Sequence, residues 1–125
     1  MWLASPPNKL IGIKMSFPTN DKVTPAELCA ENGSTILKSM ANRHRLLILC
    51  SLKEREYSVG ELEKVVGLSQ SALSQHLARL RKDNLVQTRR SAQMIYYQLP
   101  DNHARKILES MFAIFVESSS SQAAF

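Results

Sequence analysis

A chain of 125 residues with sixteen Lys and Arg against eleven Asp and Glu carries a net charge of +5. That length suits one domain, and the basic balance suits a polyanionic partner. No apolar run approaches the ~20 residues of a membrane span, and Pro6, Pro7 and Lys9 break up the stretch where a secretory signal would need one. A cytoplasmic location is therefore expected, where two cysteines would not form a permanent structural staple.

Residues 1–22 hold three of the five prolines and no sustained periodicity, and are expected to be a flexible N-terminal arm. Order is expected from Thr24-Pro25, a cap followed by a proline at the first helical position. The first helix then runs through Leu28, Ile36, Leu37 and Met40, with a candidate interruption at Asn32-Gly33. Asn42 can cap a second helix, on which Leu46, Leu49 and Cys50 share a face. Ser58 opens a third, because Ser58 and Glu61 have capping-box spacing, and its apolar face is Leu62, Val65 and Val66.

Gly67 can end that helix in a left-handed conformation, and Ser69 can cap the next. From Ser69 to Lys82, Leu73, Leu77 and Leu80 form one apolar stripe, leaving amides, hydroxyls and cations on the rest of the surface. Two helices joined so tightly make a helix-turn-helix whose second helix is presented to the DNA major groove. An ordinary amphipathic surface helix would also fit this stretch alone. Its neighbourhood favours DNA: between Ser69 and Gln93 there are five basic residues and one acid, Asp83.

The recognition helix is expected to end near Asp83-Asn84. Two strand-like runs follow, Leu85 to Arg90 and Gln93 to Leu99, with Ile95, Tyr97 and Leu99 alternating against Tyr96 and Gln98. A hairpin after a helix-turn-helix is a wing, with Arg89 and Arg90 expected at its tip. Pro100-Asp101 opens a last helix carrying Ile107, Leu108, Met111, Phe112, Ile114 and Phe115. That is more apolar surface than an exposed helix on a small domain tolerates, so part of it is expected to meet the same helix of a second subunit. The fold expected is mainly α with a small β-hairpin: a winged helix-turn-helix over 23–117, dimeric through terminal helices, with a disordered tail at 118–125.

With its elements in this order, Leu37 to Phe115 resembles the ArsR/SmtB family of winged-helix repressors. The resemblance rests on LKSMANRHRLLILCSL, SVGELEKVVGLSQSALSQHLARLRKDNLV and RRSAQMIYYQL; SQSALSQHLARLR looks particularly like the branch that senses sulfide, persulfides or thiol oxidants. It implies a homodimer that represses its operon until a ligand or oxidant loosens its hold on double-stranded operator DNA.

The resemblance also implies three sensor sites to look for. A metal site built on a cysteine pair in the first helix of the helix-turn-helix is absent, since that helix reads Gly60-Glu61-Leu62-Glu63-Lys64. A zinc-type site on the last helix is matched by Asp101, His103 and Glu117, but Ile114 replaces the histidine between them. Losing one imidazole from four ligands should cost much of the metal affinity, so no metal or other cofactor is expected, with Asp101 as a helix cap and His103 as a solvated residue. The dithiol of the sulfur-sensing branch is matched at Cys50, whereas Val116 stands near its second position. A bridge between those two helices therefore cannot form.

For Cys50 two readings stay open: a buried core residue, or a single thiol modified by sulfane sulfur or an oxidant. Pairing with Cys29 is a further option that requires Cα atoms within about 7 Å. On the DNA side, Arg79, Arg81, Arg89 and Arg90 are expected at phosphates, and Gln70, Ser71, Ser74 and Gln75 at base edges. His76, beside Leu77, is read equally as a DNA contact or as half-buried packing. The alternatives are a metal-responsive repressor using the last-helix site, a repressor that has lost its sensor, or a winged helix used only to dock protein. An enzyme is not expected, because no nucleophile elbow, phosphate loop or paired-carboxylate motif organises the polar residues.

Overall fold

The computed structural model describes residues 22–118. The expected arm, apart from Lys22, and the expected tail, apart from Ser118, lie outside the described residues. The chain divides into two compact units between Lys38 and Ser39.

Helix α1 spans Pro25–Met40. Thr24 caps it, its Oγ1 accepting from the Glu27 amide at 3.1 Å. The interruption foreseen at Asn32-Gly33 does not occur. The Asn32 amide instead folds back to donate to the Leu28 carbonyl, and the helix continues through Gly33.

From Ser39 onward the fold is built around α2, Arg43–Glu54, which packs against α3 (Val59–Val66), α4 (Gln70–Lys82), α5 (His103–Phe112) and the sheet. Asn42 caps α2 through its Oδ1, 3.0 Å from the Arg45 amide. Ile48, Leu49 and Leu52 of α2 meet Leu62 and Val66 of α3, Leu73, Leu77 and Leu80 of α4, and Ala104 and Leu108 of α5 in one buried core. Ser58 and Glu61 close the capping box of α3 reciprocally, at 2.9 and 3.2 Å. Val65 is exposed, against expectation: only one of the two adjacent valines can turn inward beside Leu62, and Val66 is that one.

The sheet has three antiparallel strands in the order β1-β3-β2, with β1 Tyr57–Ser58, β2 Gln87–Ser91 and β3 Met94–Gln98. β1 pairs Tyr57 with Tyr97 and Ser58 with Tyr96. This two-residue strand was not foreseen, being too short to show alternation. Nor does β3 alternate as expected: Ile95 is exposed and Tyr96, Tyr97 and Gln98 are all half-buried, because both faces of the hairpin are only partly covered.

Ser91 faces Met94 across a two-residue turn, with Ala92 at φ 61. The last helix begins one residue later than expected. Asn102 is its cap, its Oδ1 accepting from the Arg105 amide at 3.2 Å, and Asp101 stands outside. Beyond Phe112, α5 widens into a π-helical turn, Ala113–Glu117.

Candidate nucleic-acid interface

The geometry of α4 follows from how it is entered. Gly67 adopts φ 75 and ψ 35, the left-handed conformation that glycine reaches without a Cβ clash, and its amide closes α3 onto the Glu63 carbonyl at 2.9 Å. Two residues later the Ser69 hydroxyl accepts from the Ala72 amide at 3.2 Å and starts α4. Leu73, Leu77 and Leu80 are buried, and this fixes the rotation of α4 about its axis. The face turned outward is then Gln70, Ser71, Ser74, Gln75 and Ala78, continued by Arg81 and Lys82. All are exposed. Ala78 was passed over because it is not polar; its spacing from Ser74 was the available signal, and a methyl there can meet a thymine methyl.

His76 does not share that face. Its ring is half-buried against α2, with Nδ1 3.4 Å from the Arg45 guanidinium and its centroid 5.8 Å from that of His44. Burial, then the neighbouring Arg45 and His44, hold its pKa below the ordinary histidine value. Packing, rather than base contact, is its structural position.

Arg79 is likewise engaged, its Nε 3.0 Å from Asp83 Oδ2. Burial works against the Asp83 charge, but the Ser39 hydroxyl and the Arg79 guanidinium beside it outweigh that and lower its pKa.

The arginine pair of the wing is split by the strand register. Arg89 faces Tyr96 and Arg90 faces Ile95, so neither is at the tip, which is Ala92 and Gln93. Arg89 Nε lies 2.9 and 3.2 Å from the two Glu56 carboxylate oxygens, and Nη2 completes a forked ion pair. Its guanidinium sits 4.7 Å from the Tyr96 ring centroid. The hydrogen bond from Arg89 holds the Glu56 carboxyl below its ordinary pKa. Arg90 is exposed and makes no ion pair among the described residues.

Both cysteines are free thiols, Cys29 exposed and Cys50 half-buried on α2. Burial pushes the Cys50 thiol up, partly offset by the nearby Lys53, whose ammonium lies 4.6 Å from the Phe112 ring centroid. Asp101, His103 and Glu117 are all exposed, and no three His, Cys, Asp or Glu side chains converge among the described residues.

What this arrangement can do is present a helix of amides and hydroxyls to a groove, flanked by cations and an adjoining hairpin. Residues 42–88 match the family described as bacterial regulatory protein, arsR family. The nodulation protein NolR of Rhizobium meliloti is 54% identical over 86 residues, 69% of this chain and 70% of that one. The transcriptional activator HlyU of Vibrio cholerae is 48% identical over 84 residues, 67% of this chain and 78% of its own. A structure of reduced HlyU superimposes with a TM-score of 0.69 at 45% identity, covering 73% of this chain and 96% of that chain. The transcriptional repressor BigR of Xylella fastidiosa gives 0.68 at 36% identity, covering 74% and 92%.

Proposed function

The chain belongs to the ArsR family of bacterial regulatory proteins, and from that premise we propose a homodimeric operator-binding repressor whose hold on DNA is loosened when a sulfur species or oxidant modifies Cys50. Two of the relatives named above, HlyU and BigR, are a transcriptional activator and a transcriptional repressor, and this chain is a DNA-binding transcriptional regulator rather than an enzyme. A DNA target puts its work in the cytoplasm. The observation that carries the reading is the outward face of α4, mostly polar and basic at its end, beside an exposed Arg90.

A second copy is supported by the end of the last helix. Ile114, Phe115 and Val116 are 57%, 55% and 49% exposed in an unbroken row. So much large apolar surface is best explained by a partner that covers it. A two-fold pair would present two α4 helices about one DNA turn apart.

For release, the Cys50 thiolate would attack a terminal sulfur of a polysulfide, forming a persulfide and expelling the shortened polysulfide anion. The added sulfur enlarges a side chain on α2, which packs against both α4 and α5. A close-packed interior does not absorb extra volume freely, so the strain biases the dimer towards a geometry with misplaced recognition helices. The raised pKa keeps most of the thiol protonated at neutral pH, so modification should quicken as pH rises.

The test is operator binding by reduced protein before and after polysulfide, paired with intact mass. Loss of binding with sulfur added at Cys50, and neither in Cys50→Ser, is the expected result. Retained binding with Cys50 unmodified would leave a DNA-binding protein whose thiol is only part of the core.

A further inference from the structure

Glu56, just before β1, continues the row in which Gln98 and Gln87 face each other across β3 and β2. Its carboxylate closes a polar ladder across the sheet. Gln87 Nε2 donates to Gln98 Oε1 at 3.1 Å, and Gln98 Nε2 donates to Glu56 Oε1 at 3.2 Å. Arg89, from the outer strand β2, reaches diagonally over Tyr96 to grip both oxygens of the same carboxylate. The guanidinium therefore lies along the sheet, with its charge cancelled.

A carboxylate forked onto arginine occupies the N–H pair that a DNA phosphate would use, so the two compete like for like. Arg90, the next residue, carries no such counter-ion among the described residues. Adjacent arginines on one strand thus differ in the charge they offer to DNA. The side chains of Arg89 and Glu56 are 48% and 33% exposed, so the pair stands at the surface, where an approaching polyanion meets it.

We propose that Glu56 is a positioning residue of the wing: its carboxylate keeps Arg89 off the phosphates and so limits sequence-independent DNA affinity to what Arg90 and α4 supply. This rests on the DNA-binding reading above. The carboxylate acts as a brake on the wing. Without it, a non-specific contact is added at every position along a duplex.

Four proteins test this: wild type, Glu56→Gln, Arg89→Ala and the double variant. Each is titrated at several salt concentrations against an operator duplex selected from a random pool and against a scrambled duplex. Glu56→Gln should bind the scrambled duplex about two- to fivefold more tightly. It should also steepen the salt dependence of log K by about 0.9, the value of one added phosphate contact. Both effects should vanish in the Arg89→Ala background. An unchanged or shallower slope for Glu56→Gln overturns the assignment, as does an equal effect with and without Arg89. Should Glu56→Gln not fold, Arg89→Ala flattening the slope as much as Arg90→Ala does overturns it too, and a clearly smaller flattening supports it. Wild type that binds neither duplex would instead overturn the DNA-binding reading itself.

Discussion

The imidazole of His76 on the recognition helix accepts a hydrogen bond at Nδ1 from the Arg45 guanidinium of α2, 3.4 Å away. Arginine has only donors, so this contact requires Nδ1 unprotonated and the ring neutral. His44 stands on the same side, its buried Nδ1 unpaired among the described residues, and Arg45 also feels the charges of Arg79 and Asp83.

A pH dependence follows. The folded pKa of His76 is lowered, so its unfolded form binds the extra proton first as pH falls. Its contribution is complete above the unfolded value of about 6.5 and is lost as pH drops through the folded value. Asp83 and Glu56, whose carboxyls are held low, lose theirs only below about pH 4. The melting temperature should therefore fall between pH 7 and pH 5, and His76→Gln should flatten that fall. A flat wild-type curve over this range would show that the histidine is not coupled to folding.

Gln75 lies on the outward face of α4 with Gln70, Ser71 and Ser74. Its amide can pair with two edge atoms of adenine, so Gln75→Ala should lose about 1–3 kcal/mol of discrimination at one base pair per half-site. Competition binding against single-base variants of the operator reads this directly. An unchanged ratio of operator to random binding would remove Gln75 from the reading set.

Arg90 should act through phosphate alone. Arg90→Ala should weaken binding to every duplex alike and flatten the salt slope by about 0.9. Arg81→Ala, exposed near the end of α4, should behave the same way. A loss confined to the operator would instead make either residue a reader of sequence.

Phe115→Asp should dissociate the proposed dimer by putting a charge into the apolar row Ile114, Phe115 and Val116. Because the side chain is exposed in the single chain, the melting of the monomer should barely change. Sedimentation of the variant at the wild-type mass would show that this row is not the interface.

Much of the architecture was written in single residues. Asn42, Ser58, Gly67 and Ser69 each determine a helix end through a local hydrogen bond or a permitted backbone angle, and such interactions span only a few residues. The leucine spacing in α4 likewise dictates which face turns outward, since one buried stripe leaves only one rotation. Together these made the helix-turn-helix and its outward-facing amides legible from the sequence alone.

What the sequence could not decide were contacts between residues distant along the chain. Glu56 and Arg89 meet only because a two-residue strand brings Glu56 alongside the hairpin, and nothing local to either residue marks it. His76 was undecided because its neighbour Leu77 says which side is buried but not that Arg45 and His44 wait there. Arg79 and Asp83 are close in sequence, yet a guanidinium can choose phosphate or carboxylate, and only the folded geometry shows the carboxylate within reach. Local chemistry set the elements and their facing. The tertiary structure decided which charges remain available, because cancelling a charge takes a partner within a few ångströms, and folding alone brings distant ones there.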